Sequence, residues 1–350
     1  MPVENIPDRG IRFLLSVASL TIIIYGINQA QSFLISFLVA VFFAVLGTPP
    51  VLWLEKKSVP NVIAVLIVIT GMISILLIAG AIVGASISSF FKELPVYQAH
   101  FKERIADFQL FLANKGIHGV DKLFLAYFNP ESVMSLTGRL FAGLGSALSD
   151  ILLILLTVAF ILIEASTFPV KLRTVLGHPR QGFPQFTKFV DDMERYVLIH
   201  TVFSLATGLL IGIWMFIIDM DFPVIWGFLA FLLNYVPNVG SIIAAVPAVL
   251  LAFVQFGMGS MILTVAGYLV INFILGNVLE VMFMGQSLDL STLVVFLSLV
   301  FWGSLLGPVG MVLCIPLSMT LKFACENNDD TKWIAELLAS EIPAKATATK

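Results

Sequence analysis

The chain is predicted to be an all-α integral membrane protein with six full transmembrane helices, two broken or re-entrant hydrophobic segments, and a small helical periplasmic insertion. Three observations carry that expectation. Of its 350 residues 59% are hydrophobic and 12% charged, and the mean hydropathy is +1.01, more apolar surface than a soluble domain of this size can hide. The apolar residues gather in runs of about 18 or more, the length a helix needs to cross a bilayer. Two runs near the end, Phe222 to Phe256 and Ser291 to Phe323, are interrupted by proline and glycine, reading NYVPNVGSIIAAVP and WGSLLGPVGMVLCIP at their breaks. As straight helices each would be about 50 Å long against an apolar core of about 30 Å, so a broken or hairpin path fits better. That makes about eight membrane segments.

The elements follow in order. Ile11 to Ile27 has Arg9 and Arg12 before it like a signal peptide, but Asn28, Gln29 and Gln31 follow without a small-residue cleavage pattern, so it reads as a retained first helix. Phe33 to Leu54 and Val62 to Ser86 are the next two crossings. Beyond them Leu94, Tyr97, Phe101, Ile105, Phe108 and Phe111 recur at helical spacing around Lys102, Glu103 and Asp107, the pattern of an amphipathic helix. Asn129, Pro130 and Glu131 start another over Ser132 to Leu148. This outer cap is read either as a vestibule or partner surface, or as packing against neighbouring subunits or headgroups. Ile151 to Phe168 is the fourth crossing. The stripe Phe186, Phe189, Val190, Met193, Tyr196 and Val197 lies along the inner interface before the fifth, Val197 to Ile218, and Met258 to Met284 is the sixth. The organisation is then membrane helices 1–3 as a scaffold (1–89), a periplasmic helical insertion (90–149), the fourth helix with a cytoplasmic amphipathic helix (150–196), a transport core (197–323) and a polar tail (324–350).

Charge sets the orientation. Arg9, Arg12, Lys56, Lys57, Lys171, Arg173, Arg180 and Lys322 fall on one face, while the opposite short connections, Asn28 to Ser32 and Asp219 to Asp221, have no Lys or Arg. By the positive-inside rule both termini are cytoplasmic. Cys314 and Cys325 are the only cysteines, so neither a disulfide framework nor a metal cluster is expected. There is no phosphate loop, zinc helix or nucleophile elbow, and His100, His118, His178 and His200 are scattered. The chain is therefore read as no enzyme, with no cofactor and no nucleic-acid partner.

What remains is transport. Paired Gly/Pro interruptions in apolar segments mark places where freed backbone lines a solute path. At the first break the candidates are Asn234, Pro237, Asn238, Gly240 and Ser241, and at the second Gly307, Pro308 and Gly310, with Ser304 beside them. Between the breaks Asn272, Gly276 and Glu280 follow at four-residue steps and share one helical face, with Asn277 alongside. Glu280 is read both as a functional group and as a cap near the headgroups, and the asparagines both as ligands and as interhelical glue. From Tyr196 to Leu321 there is no lysine or arginine, which disfavours phosphates and multiply charged anions and favours a neutral polar solute or a small cation.

At NYVPNVGSIIAAVP (Asn234 to Pro247), GNVLEVMFMG (Gly276 to Gly285) and LSTLVVFLSLVFWGSLLGPVGMVLCIPL (Leu290 to Leu317), the chain closely resembles the autoinducer-2 exporter family. The resemblance implies a bacterial inner-membrane carrier that exports autoinducer-2, a small neutral furanone-type quorum signal, and a homo-oligomer, a pentamer. Some relatives are similar to sodium or lithium for proton antiporters, which implies H+ or Na+ coupling. The chain departs from the family pattern in having Val281 where proline commonly follows the carboxylate, Gln286, Ser287 and Asp289 where a basic residue and glycines are usual, and Ser304 in place of tryptophan. Loss of a basic residue and gain of Asp289 make the inner mouth more acidic, which favours cations. Three readings stand open here: an exporter of a neutral solute, a Na+(Li+)/H+ antiporter titrating at Glu280, and an oligomeric pore or scaffold without active transport.

Overall fold

The structure is a computed structural model that describes residues 9–114, 151–165, 183–284, 290–327 and 330–340. Its elements are all helices: α1 (Arg9–Gln29), α2 (Gln31–Lys56), α3 (Asn61–Asn114), α4 (Ile151–Ala165), α5 (Phe183–Ile217), α6 (Pro223–Asn234), α7 (Gly240–Phe256), α8 (Met258–Met284), α9 (Thr292–Val312), α10 (Cys314–Glu326) and α11 (Lys332–Leu338). In an apolar solvent the backbone has no partner but itself, and helices meet that demand within one segment. Among the described residues, 5 stretches are long and apolar enough to cross a membrane, Gln31–Lys56, Asn61–Glu93, Phe186–Ile217, Met258–Met284 and Thr292–Val312; α4, α6 and α7 are apolar but shorter. The helix expected over Ser132 to Leu148, the end of the fourth crossing, and Gln286, Ser287 and Asp289 lie outside the described residues.

Two expected joints are absent. α3 continues from the third crossing through Pro95 into the segment read as a separate amphipathic helix, 54 residues in one element and about 80 Å long at helical rise. Proline in a helix interior costs about 3 kcal/mol. The burial of Tyr97 and Phe101 from the amphipathic stripe on its far side offsets that cost. In α5 the stripe from Phe186 and the fifth crossing form one helix of 35 residues, because neither proline nor glycine stands between Phe186 and Thr207 to turn it.

Burial divides the fold into three clusters. Small residues let α2, the first part of α3 and α4 approach closely: Ala40, Ala44 and Ala64 pack against Val65, Val158 and Leu162. The second part of α3 belongs to another cluster, in which Phe90, Tyr97 and Phe101 meet Ile211 and Met215 of α5, Trp226 of α6 and Phe253 of α7. The third joins Tyr196 and Val197 of α5 to Val236, Leu299, Cys314 and Met319 of the two broken segments.

α5 is the axis on which the broken segments are mounted. α6 runs antiparallel to it at backbone distance: a Cβ on Gly227 would lie 2.6 Å from the carbonyl oxygen of Gly208, and one on Gly208 would lie 2.7 Å from that of Gly227. α8 also runs antiparallel, with Trp214 Nε1 donating to Leu263 O at 3.2 Å and Arg195 Nη2 donating to Phe283 O at 3.2 Å near the other end.

Both broken segments turn back on themselves. Asp221, just before α6, donates its N–H to Gln255 Oε1 at 3.3 Å, and Gln255 Nε2 donates to Asp221 Oδ2, so the segment's two ends meet. Tyr97 fastens them to α3, its hydroxyl lying 2.7 Å from both the Glu93 and Asp221 carboxylates. Burial first, then the bonds to Glu93 and Asp221, push this phenol well above its ordinary range, so it remains a donor. In the second segment Gly307 has φ 64° and ψ −148°, which breaks the axis of α9 and which a side chain would oppose. Trp302 Nε1 then donates to Ser318 Oγ at 3.1 Å and Ser318 Oγ to Ser298 Oγ at 2.7 Å, tying the return arm to the outgoing one. The open ends of the first hairpin lie by the C-terminal end of α5. Those of the second lie by its N-terminal end, where Phe323 stacks on Phe189 at 4.4 Å.

Two outcomes check this arrangement. Asp221→Cys with Gln255→Cys, in a background lacking Cys314 and Cys325, forms an intramolecular disulfide detectable by peptide mass, whereas a straight crossing would keep these positions apart. Gly227→Ala destabilises the detergent-solubilised protein by about 1–3 kcal/mol in thermal unfolding, while alanine at Gly80, which has open space around it, leaves the transition in place.

Candidate functional site

The first hairpin turns at the depth of His200. Asn234 ends α6, Asn238 takes a left-handed conformation at φ 60°, and Gly240 opens α7. The freed amides are met locally: Val236 N donates to Leu233 O at 2.9 Å, Val239 N to Pro237 O at 2.7 Å and Gly240 N to Val236 O at 3.1 Å. A Cβ at Gly240 would collide with the Leu233 carbonyl, and one at Gly310 with that of Trp302, so each hairpin depends on a bare backbone on its return arm.

Polar side chains then face each other across α5. Asn234 Nδ2 donates to Ser204 Oγ at 2.9 Å, and the Tyr235 hydroxyl donates to Thr201 Oγ1 at 2.8 Å. One helical turn from Ser204, His200 Nδ1 pairs with Glu280 Oε1, both residues being 8% exposed. Tyr196 stacks on the His200 ring at 5.5 Å, and Tyr235 meets it edge-on at 5.1 Å. Phe42 of α2 in turn packs edge-on against Tyr235 at 5.7 Å, so the turn of the hairpin is held between α2 and α5. From His200 to the end of α5 at Ile217 is about 25 Å along the helix, most of the way across an apolar core of about 30 Å. The pair is buried by protein, and a charged pair so buried is costly unless its members satisfy each other.

The structure brings some of the expected residues together and disperses others. Asn234 and Glu280 converge on α5, with Pro237 and Ser241 half-buried beside the turn. Asn238 is exposed at its tip. Gly307 and Gly310 shape the second turn, and Pro308 is exposed there. Asn272 donates to the Tyr268 carbonyl of its own helix at 2.7 Å, and Asn277 is exposed, so neither faces the pair. The reason lies in the winding of α8: Phe273–Glu280 is π-helical, and its wider turns break the four-residue alignment of Asn272 with Glu280.

Sequence reasoning missed His200, Tyr196 and Tyr235. His200 stands 80 positions from Glu280, and no local motif joins them. The available signal was on α5 itself, where His200, Ser204, Gly208 and Gly212 recur every four residues along one face of an otherwise apolar helix.

Hairpins whose turns meet polar groups inside a helical membrane protein are an architecture that transport proteins use. Comparison with known sequences agrees. The profile described as AI-2E family transporter matches residues 14–328. AI-2 transport protein TqsA of Escherichia coli (strain K12) is 37% identical over 331 residues, 94% of this chain and 96% of that protein. The putative transport protein YhhT of the same strain is 34% identical, covering 96% of this chain and 97% of its own. A putative transport protein of Haemophilus influenzae (strain ATCC 51907 / DSM 11121 / KW20 / Rd) is 31% identical over 93% of this chain and 96% of its own. The chain belongs to the AI-2E family of transporters.

The pair can be tested by removing one member at a time. His200→Leu strands the buried carboxylate and lowers stability by about 3–5 kcal/mol. Glu280→Gln keeps a hydrogen-bonding group of the same size and costs less, as read from thermal unfolding of each purified variant.

Proposed function

We propose that the protein is a secondary transporter that exports a small neutral polar solute, autoinducer-2, from a bacterium across its inner membrane. The observation that carries the reading is the meeting of the first hairpin's turn with the polar face of α5, where Thr201, Ser204, Asn234 and Tyr235 surround the His200–Glu280 pair. Hydroxyl and amide groups in a stretch without lysine or arginine, Tyr196 to Leu321, suit a hydroxylated neutral molecule. The relative named as an AI-2 transport protein supports the substrate.

The two hairpins enter from opposite faces of the membrane, a reading supported by their open ends lying at opposite ends of α5. With six full crossings both termini are cytoplasmic, the stretch 90–149 stands on the periplasmic side, and the hairpins belong to the transport core at 197–323. The solute is held at the first turn by Asn234, Asn238 and Ser241 with the backbone of Pro237 and Gly240, and at the second by the backbone of Gly307, Pro308 and Gly310. Asn272, Asn277 and Glu280 line or support the path. Copies of the chain associate as a homo-oligomer, a pentamer, through part of the apolar surface that exposes Leu77, Phe216 and Leu269. Sodium or lithium for proton exchange at Glu280 is the weaker reading, since His200 already occupies Oε1 of that carboxylate.

Flux in proteoliposomes tests the proposal. Vesicles holding the purified chain move autoinducer-2 with saturation at high concentration, and Asn234→Leu lowers the rate about tenfold or more, the effect of about 1.4 kcal/mol on a barrier. Absence of autoinducer-2 movement under every gradient overturns the substrate assignment, and flux without saturation favours a pore.

A further inference from the structure

Glu280 decides where neutral His200 carries its proton. A carboxylate against Nδ1 holds the ring N–H on that side, which leaves Nε2 as a bare lone pair. That lone pair is buried and meets no hydrogen-bond partner among the described residues. The ring cannot turn away, because Tyr196 covers a face and Tyr235 abuts it edge-on. Nearby hydroxyls leave it unmet: Thr201 donates to the Val197 carbonyl and accepts from Tyr235, and Ser204, which accepts from Asn234, makes no bond to the ring. An unmet acceptor in such a place is unfavourable, so the site gains by receiving a donor. Two things can take the lone pair: the O–H of a small hydroxylated solute, or a proton, whose charge the Glu280 carboxylate at the other ring nitrogen offsets. One lone pair cannot hold both.

We infer that Nε2 of His200 is the point at which a proton and a hydroxyl of the solute displace each other, so that the carrier exchanges one proton for one solute. The inference rests on the transport reading above and adds the residue and the coupling. In one half of the cycle a proton from water adds to Nε2, and the imidazolium and the Glu280 carboxylate are together neutral. In the other half that proton leaves to water, and the solute O–H donates to the vacated lone pair, with no covalent bond in the solute changed. Against the ring stand Glu280 from α8, Tyr196 from α5 and Tyr235 from the hairpin turn, with Cys314 of α10 in the cluster around Tyr196 and Phe42 of α2 behind Tyr235. None of these is a permanent cation, so among the described residues around the ring the proton on His200 is what balances Glu280. Glu280 ends a π-helical turn, a feature frequent at functional sites.

The test uses the full chain in lipid. With ¹⁵N-labelled histidine in nanodiscs, the His200 signal is assigned by its loss in His200→Gln. The spectrum reports whether Nε2 carries a proton, and adding autoinducer-2 shifts the ring toward the neutral form. In proteoliposomes an opposing proton gradient speeds autoinducer-2 movement about tenfold, equivalent to roughly one pH unit of driving force. His200→Gln and Glu280→Gln both slow movement and lose the acceleration by the gradient, with size-exclusion profiles matching the parent. If autoinducer-2 moves and the proton gradient changes nothing, the exchange is overturned and the transport reading stands. If autoinducer-2 does not move at all, the substrate reading falls, and the spectrum decides the rest: acid-dependent protonation of Nε2 supports the exchange point, and an unchanging ring overturns it.

Discussion

Backbone amides in an apolar surrounding have no water to turn to, and every element of this protein answers to that constraint. Straight helices satisfy it within themselves, so the difficulty concentrates at Pro237 to Gly240 and at Gly307 to Gly310, where the ladder is interrupted. Each interruption is resolved by folding back. The turn at Asn238 closes through three short backbone bonds, and the turn at Gly307 uses a conformation that a side chain would resist. The bare Cα positions at Gly240 and Gly310 then let each return arm lie against a carbonyl of the outgoing one.

α5 makes those hairpins mutually consistent. Its small residues at Gly208 and Gly212 admit α6 to backbone distance of Gly227, and its polar face at His200, Thr201 and Ser204 receives Asn234, Tyr235 and Glu280. Packing and polarity are thus interleaved on one helix. Close approach supplies dispersion energy where the hydrophobic effect is absent, and polar contacts set the register of hairpin, axis and α8 together. A shift of α6 by one residue would turn Asn234 away from Ser204 and place a side chain against Gly208.

The long α3 has a divided allegiance. Ala64, Val65 and Val68 belong with α2 and α4, whereas Phe90, Tyr97 and Phe101 belong with the first hairpin. Between them Ile75, Leu77, Ile78 and Ile82 are exposed. A helix anchored at both ends, its middle uncovered by the described residues, connects the two groups, and the contact of Tyr97 with Asp221 fastens it to the hairpin where that hairpin opens.

The sequence by itself determined the class, the apolar segments and the two breaks, because hydropathy and proline or glycine punctuation act locally, within a turn or two of the chain. It also names Asn234 and Glu280 as candidates, since buried polar groups are expensive wherever they occur, and the fold seats both against α5. It put joints before the outer amphipathic stripe and after the inner one, where α3 and α5 run straight through, because amphipathicity reports a face and not a bend. Four-residue spacing groups Asn272 and Gly276 with Glu280, with Asn277 alongside, and the π-helical stretch between them does not wind at the pitch that grouping assumes. That His200 meets Glu280, with Tyr196 over the ring and Tyr235 at its edge, is visible only in the fold. Those contacts join residues far apart along the chain, and α5 brings them together through the fit of Gly208 to Gly227, a steric relation between two helices that neither helix carries alone.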